Sequence, residues 1–202
     1  MTEGLNDEER LQLEEWIGGK RKFFTLLFKI SRDGCNPEVF HKKCDNQGPT
    51  VTVLYTPKRS VYGAYTSISW KCVDKCVQIN DPQHFICQLQ SKGQNRYQIF
   101  KTAQKGPSHS TIRYGPIFCG LSTFSFYTVK KPDGVFTFYE GMRGFTSYNY
   151  NTGGVTASEL NDGSMNVVDL EVYKVSGILK FRKKLKSFFL NKSDQMSISA
   201  LF

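Results

Sequence analysis

The order of apolar and polar residues divides the chain into a helical start, a long β-rich body and a basic end. Apolar residues recur at helical spacing over residues 7–17, and the Gly18-Gly19 pair predicts the end of this helix. Asn6 and Glu9 stand three residues apart, which is the spacing of a capping box. A second short helix is predicted over residues 37–44, where a proline occupies the first helical position.

The period of the pattern changes to two after residue 49, as is typical of β-strands. Residues 50–55 and 61–70 alternate β-branched or aromatic side chains with small polar ones, and the segment between them predicts a hairpin turn. Further short strands are predicted at 23–30, 84–89, 96–101, 117–119, 124–129, 135–139 and 167–175. Residues 141–165 are rich in Gly, Ser, Asn and Thr, which predicts a long loop. The pattern predicts an α+β, mainly β fold, namely a two-sheet antiparallel β-sandwich flanked by a few short helices.

The composition favours one folded domain over a disordered chain or a membrane protein. Hydrophobic residues make up 39% of the 202 residues, which is enough to bury a substantial core. The first residues lack the basic start and apolar run of a signal peptide, and no stretch reaches the roughly 18 apolar residues of a membrane span. We therefore expect a cytoplasmic protein whose six cysteines are reduced thiols.

Positive charge is concentrated near the C-terminus. The net charge is +9, and residues 180–192 carry six basic side chains and no acidic one, which leaves +3 for the rest of the chain. A basic surface over the whole body, as nucleic acid would require, is therefore not predicted, and we expect no nucleic-acid partner.

The same segment has the pattern of a basic amphipathic helix. Its apolar side chains fall on one helical stripe: Phe181, Leu185, Phe188 and Phe189. Its cations surround that stripe: Lys180, Arg182, Lys183, Lys184 and Lys186. Such a helix can lie on an anionic membrane or dock in the groove of a protein partner. It can also pack back on the domain, because apolar stripes in helices usually face a core.

A cysteine, a histidine and an aspartate stand together on the second predicted helix. His41 and Cys44 lie three residues apart, next to Asp45, which suggests a thiol nucleophile with a base. Catalytic pairs, however, usually come from separate elements, and the sequence shows no third residue that would orient the imidazole. The structural interpretation is favoured, in which Cys44 faces the core beside Phe40 and Asp45 caps the turn into Gly48-Pro49. We expect no enzymatic activity.

Cofactor motifs are not found. Cys72 and Cys76 could form half of a metal site, but only His84 lies nearby and no second pair has ligand spacing. The GGKRK segment at residues 18–22 has the wrong spacing to hold a phosphate. Glu171, within a predicted strand, is interpreted as a strand acid that is exposed or hydrogen-bonded. We expect no metal, no cofactor and no bound nucleotide.

Residues 40–55, FHKKCDNQGPTVTVLY, and residues 61–70, VYGAYTSISW, closely resemble the pattern of the TLDc domain family. The matching positions are Phe40, His41, Lys43, Cys44, Asp45, Gly48, Pro49, Thr50, Gly63, Tyr65, Thr66, Ser67 and Trp70. Residues 167–175, which include Glu171, resemble the closing strand of the family. The resemblance implies a β-sandwich in which these residues form the framework.

The resemblance also predicts the domain organisation. It covers residues 23–177, which are taken as the TLDc domain. Residues 1–22 are then an acidic N-terminal helix and linker, and residues 178–202 are a basic amphipathic tail.

Within the family, the chain most resembles the interferon-induced protein 44 branch. The acidic N-terminal helix, the segment LLFKISRDG at residues 26–34 and the segment LEVYKVSGI at residues 170–178 indicate this branch. A GTPase-like domain follows the TLDc domain there, whereas this sequence stops at Phe202, so no GTP chemistry is expected. The resemblance implies a non-enzymatic interaction module of the interferon-induced, innate-immune and antiviral type.

Other TLDc proteins imply alternative functions. Some regulate the vacuolar proton pump (V-ATPase) or confer oxidation resistance, so subunits of that pump are alternative partners. The sequence FCGLSTF at residues 118–124 replaces a family segment that reads FGGGHDL and has an acidic position, which weighs against these roles. A membrane-surface adaptor acting through the tail is a third hypothesis. Contact with a protein partner is predicted for the tail and for the loop around Tyr148, Tyr150 and Asn151.

Overall fold

The structure of the protein, a computed structural model, describes residues 4–102, 107–109, 111–138 and 141–177. The helices in these ranges are α1 (Asp7–Trp16), α2 (Ile30–Asp33), α3 (Pro37–Cys44) and α4 (Ala157–Leu160). The longer strands are β1 (Lys22–Lys29), β2 (Thr50–Tyr55), β3 (Val61–Thr66), β5 (Phe85–Ser91), β6 (Gln94–Lys101) and β13 (Asp169–Gly177). The two-residue strands are β4 (Val77–Gln78), β7 (Ser108–His109), β8 (Ile117–Phe118), β9 (Leu121–Ser122), β10 (Val129–Lys130), β11 (Phe136–Thr137) and β12 (Asn166–Val167).

The centre of the fold is a six-stranded antiparallel sheet with the order β1-β13-β2-β3-β5-β6. The last strand of the described residues, β13, lies between β1 and β2, so the sheet forms only when distant parts of the chain meet. Every residue of β2 and β3 is buried. Both faces of the central strands are therefore covered, as in a sheet enclosed between two layers.

The first layer is α1, which packs on one face of the main sheet. Leu13 and Leu5 are buried against side chains of this face such as Val51 and Val53. Asn6 caps the helix, since its side chain accepts from the Glu9 amide at 2.9 Å and its own amide donates to the Glu9 carboxylate at 2.9 Å. The predicted capping box and helix are confirmed.

The second layer covers the opposite face and consists of two small antiparallel sheets, with the orders β4-β7-β8-β9 and β10-β11-β12. Their side chains share one core with those of the main sheet, and Phe118, Phe136 and Val167 pack in the same cluster as Tyr62 and Ile86. The predicted α+β, mainly β fold with antiparallel sheets and a few short helices is confirmed.

The strand predicted over residues 124–129 is wrong. Phe124 is buried, whereas Phe126 and Tyr127 are exposed in a turn. The amide of Ser125 donates to the Thr128 hydroxyl at 2.9 Å, and the Thr128 amide donates to the Ser125 carbonyl at 3.0 Å. These local bonds close a turn over residues 125–128 that interrupts the predicted strand. Ser125 forms an isolated β-bridge with Tyr114, and the next strand begins at Val129.

The strand predicted over residues 61–70 ends early, at Thr66. The Asp81 carboxylate accepts hydrogen bonds from the Thr66 hydroxyl at 2.8 Å and from the Ser67 amide and hydroxyl at 2.8 and 2.6 Å. These contacts bend the chain away from the sheet. Trp70 then forms a β-bridge with Asp45.

The segment predicted as a long loop, residues 141–165, belongs partly to the core. Its side chains Met142, Phe145, Tyr150 and Leu160 are buried in the same cluster as the small sheets. It also contains the short helix α4. A segment rich in Gly, Ser and Asn can therefore contribute core residues, because a few large side chains are enough to anchor it.

Candidate interaction site

The thiol of Cys44 lies in the core and does not line a site. The side chain is fully buried at the end of α3, in the same cluster as Phe40 and Phe28. Burial raises the pKa of the Cys44 thiol far above its ordinary value. A thiolate nucleophile is therefore strongly disfavoured at this position.

His41 connects α3 to the second layer. Its Nδ1 lies 2.8 Å from an Asp45 carboxylate oxygen, and its Nε2 lies 3.1 and 3.2 Å from the carbonyl oxygens of Tyr114 and Thr111. The other Asp45 oxygen accepts from the Cys72 amide at 2.7 Å. Asp45 thus orients the imidazole, a role that the sequence analysis did not anticipate. The sequence analysis predicted that Asp45 caps the turn into Gly48-Pro49, whereas its second carboxylate oxygen binds the backbone of Cys72.

The other framework positions are also placed by close packing. Gly48 has φ +91°, a left-handed conformation that favours glycine. A Cβ atom on Gly63 would lie 2.2 Å from the carbonyl oxygen of Thr52. The indole of Trp70 donates to the Thr50 hydroxyl at 2.9 Å and is 1% exposed. These residues lie inside the fold and offer little surface to a ligand.

Glu171 is the centre of a buried polar cluster under the N-terminal segment. Its carboxylate accepts hydrogen bonds from Tyr55 at 2.7 Å, Tyr173 at 2.5 Å and Lys29 at 2.7 Å. The Lys29 ammonium also lies 3.3 Å from Asp169. The cluster joins β1, β2 and β13, and its carboxylate is 1% exposed, so its contacts are structural.

Asp169 and Glu171 share Lys29, a pairing that the sequence analysis did not predict. The missed signal was their spacing, since residues two apart on a strand point to the same face. Glu9 of α1 belongs to the same region. Burial raises the pKa of Glu9, and hydrogen bonds from Asn6 and Gln90 offset only part of that rise.

Two neighbouring hairpin turns bring four cations together at the end of the main sheet that lies farthest from the Trp70 bend. Lys58 and Arg59 belong to the turn between β2 and β3, and Lys92 and Arg96 belong to the β5–β6 hairpin. The amide of Gly93 donates to the Arg59 carbonyl at 2.8 Å, and the Lys92 amide donates to the Ser60 hydroxyl at 2.9 Å. We call Lys58, Arg59, Lys92 and Arg96 the hairpin-tip surface.

Two clefts flank this surface. The larger has a volume of about 610 Å³ and lies between Arg59 and the N-terminal residues Leu5, Asn6 and Glu9. The smaller has a volume of about 340 Å³, and its walls include Lys58, Lys92 and Arg96 on one side. Its other wall is formed by α4 and the turn that follows, with Ser158, Glu159, Asp162 and Gly163. Cationic side chains beside open clefts are suited to binding carboxylate groups.

The residues that were predicted to contact a partner differ in where they lie and how exposed they are. The tail cations and apolar stripe, residues 180–189, lie outside the described residues. Tyr148 is 68% exposed, and Asn151 is also exposed. The contact predicted for Tyr150 is wrong, because this residue is fully buried and its hydroxyl lies 2.8 Å from Nε2 of His84.

Within the described ranges, no three His, Cys, Asp or Glu side chains converge in a way that could hold a metal ion. Cys72 and Cys76 are exposed free thiols. None of the helices in this part of the chain has the length and apolar character that a membrane crossing requires.

Comparison with known proteins gives one family. The family model described as the TLDc domain matches residues 3–176, which include α1 and end one residue before the end of β13. A comparison with curated proteins finds no match.

Proposed function

Because this chain belongs to the TLDc domain family, we propose that it is a non-enzymatic protein-interaction module. The observation that carries the proposal is the family match itself, which covers residues 3–176 in one continuous domain. The proposal concerns this domain and the basic tail that follows it.

The chemistry of the buried thiols and of His84 supports the non-enzymatic part of the proposal. Burial raises the pKa of the Cys44 thiol, and it raises the pKa of the Cys87 thiol to about 12. Burial also lowers the pKa of His84 to about 4, so this imidazole is neutral near pH 7. Such buried groups hold a scaffold together, whereas catalytic groups have to reach a substrate.

We further propose that the module acts in the cytoplasm as an interferon-induced component of the antiviral response. The support is the resemblance of residues 26–34 and 170–178 to the interferon-induced protein 44 branch. If the proposal is correct, the abundance of the protein rises after interferon treatment of cells that carry the gene. A level that stays constant over a full time course would contradict this part of the proposal.

The interaction proposal is tested by affinity capture from interferon-treated cells with the full chain as bait. The test variant carries Lys183→Gln, Lys184→Gln and Lys186→Gln in the tail. The matched control carries Lys42→Gln, Lys71→Gln and Lys75→Gln, which remove three exposed charges elsewhere. A partner that the control retains and the tail variant loses identifies the tail as a contact.

Other outcomes separate the alternatives. If subunits of the vacuolar proton pump dominate with both variants, the pump-regulator hypothesis is favoured. If only anionic vesicles bind, and binding weakens steeply with salt, the membrane-adaptor hypothesis is favoured. Turnover of a substrate that disappears in a folded Cys44→Ala variant would contradict the non-enzymatic proposal.

A further inference from the structure

We propose that the hairpin-tip surface binds a short acidic segment of a partner protein. This inference rests on the proposed function as a protein-interaction module and names a second contact surface, separate from the tail. It follows from the charge, the backbone conformation and the surroundings of Lys58, Arg59, Lys92 and Arg96.

The four cations have no ion-pair partner within the part of the chain that the structure describes. Lys58, Arg59 and Lys92 are exposed, and Arg96 is half-buried. The carboxylate of Asp162 accepts from the Thr56 hydroxyl at 2.6 Å and from the Ser60 hydroxyl at 2.9 Å. The Lys58 ammonium donates to the Asp162 backbone carbonyl at 3.3 Å, a contact that leaves its charge unpaired. The positive charge of the surface is therefore available to an external anion.

Glu159 keeps its own negative charge beside the surface, but it forms no ion pair with the four cations in the described part of the chain. Hydrogen bonds from the amide and hydroxyl of Thr156 hold its carboxylate at 2.8 and 2.9 Å. These bonds are the main reason that the pKa of Glu159 is lowered, and the attraction of Arg96 contributes least.

The backbone at the two turn tips is unfavourable for the residues found there. Arg59 has φ 63° and Lys92 has φ 51°, both in the left-handed region. Glycine, asparagine and aspartate adopt this conformation most easily, and Asn-Gly is the preferred pair where Lys92-Gly93 stands. Arginine and lysine do not help these turns to form. Their presence in the left-handed conformation therefore indicates that their side chains serve a purpose other than turn formation, namely contact with a ligand at the surface.

The surroundings favour a short acidic peptide over a nucleic acid or a membrane. Glu8 lies on one side of the surface, where it accepts from Asn95 at 2.7 Å, and Glu159 and Asp162 lie on the other side. These acids would repel the continuous negative charge of a nucleic acid or an anionic bilayer. A peptide can place separate carboxylates between them, beside the cations and in the clefts of about 340 and 610 Å³.

The test uses the full chain and a fluorescein-labelled peptide with four glutamates separated by single serines. Binding is followed by fluorescence anisotropy at low salt. The variant Arg59→Asn with Lys92→Asn is expected to bind the peptide about tenfold more weakly, because it removes two exposed charge contacts that each contribute about threefold to the affinity. Its thermal midpoint is expected to stay unchanged or to rise, because asparagine adopts the left-handed conformation more easily.

Two controls make the test specific. The variant Lys71→Gln with Lys75→Gln removes the same charge beyond the opposite end of β3 and is expected to retain the peptide affinity. The tail variant Lys183→Gln with Lys184→Gln shows whether the tail binds the peptide instead. If the asparagine variant does not fold, Arg59→Gln with Lys92→Gln replaces it.

Several results would overturn the inference. One is an equal loss of affinity in the Lys71 and Lys75 control, which would show that only net charge matters. Another is a loss that follows the tail alone, which would leave the proposed interaction function intact. A third is tighter binding of a single-stranded oligonucleotide or of phosphatidylserine vesicles through Arg59 and Lys92, which would assign the surface to a polyanion.

Discussion

At the residue scale, Gly63 shows how closely the strands of the main sheet approach one another. Its Cα faces the backbone of β2, and an added Cβ would lie 2.2 Å from the carbonyl oxygen of Thr52. Backbone atoms cannot move aside as the end of a flexible side chain can. The position therefore requires glycine for reasons of space.

We expect Gly63→Ala to lower the free energy of unfolding by about 3 kcal/mol or more, because overpacking forces the two strands apart. Urea denaturation measures this change. Gly177→Ala is the matched control, because a Cβ there meets no atom within 4 Å. An equal effect of the two substitutions would show that glycine flexibility, and not the close approach to Thr52, matters at Gly63.

A second prediction at this scale concerns Glu9. Burial raises the pKa of its carboxyl group above the ordinary value of 4.5. The folded protein binds the Glu9 proton more tightly than the unfolded chain does. The contribution of Glu9 to the free energy of unfolding is therefore greatest below pH 4.5 and falls as the pH rises through the folded-state pKa. We expect the stability of Glu9→Gln, relative to the natural sequence, to improve between pH 4 and pH 8 as measured by urea denaturation. A relative stability that does not change with pH would contradict this prediction.

At the element scale, α1 is held on the main sheet by one apolar face and several polar anchors. Leu13 is fully buried, and the Trp16 ring packs edge-on against Phe85 with centroids 6.2 Å apart. Gln90 of β5 donates to the Glu9 carboxylate at 2.9 Å. The helix therefore covers one face of the sheet as an integral layer.

Two leucines of this helix provide a matched pair of substitutions. Leu13→Ala is expected to lower the free energy of unfolding by about 2–5 kcal/mol, because it removes buried methyl groups and leaves a cavity. Leu11→Ala is expected to have little effect, since Leu11 is 65% exposed. Chemical denaturation of both variants tests the prediction. If Leu13→Ala were as stable as Leu11→Ala, α1 would not be docked as described.

At the scale of the whole molecule, parts of the chain that are far apart in sequence lie side by side in the main sheet. β13 pairs with β1 on one side and with β2 on the other. Residues 169–177 therefore bridge β1 and β2, which do not pair with each other. The side chains of this strand also enter both core clusters, with Leu170 and Val172 in one and Tyr173 and Val175 in the other.

A chain that ends at Val168 is therefore expected to lack a cooperative unfolding transition, because β1 loses its partner and both cores are opened. A chain that ends at Gly177 is expected to keep the transition of the full chain. Near-ultraviolet circular dichroism during thermal unfolding compares the three chains. A cooperative transition in the shorter chain would show that β13 is an addition to a domain that is already stable.

Local patterns were sufficient to determine several features of this protein from sequence alone. The capping box at Asn6 and Glu9, the helix after Asn36 and the strands of the first hairpin depend on neighbours within a few residues, so spacing and residue type define them. The same short-range motifs, in the correct order, identified the TLDc family.

Only the tertiary structure decided which polar groups meet and which aromatic side chains are exposed. His41 contacts Asp45 within its own helix region, but its carbonyl partners lie 70 and 73 residues away. Tyr150 is buried in the core, where its hydroxyl lies 2.8 Å from Nε2 of His84, which is 66 residues away. The hairpin-tip surface combines two turns of different hairpins. Such contacts depend on the order of strands in the sheet, which the local pattern does not encode, because each strand carries the same alternation whichever neighbour it pairs with.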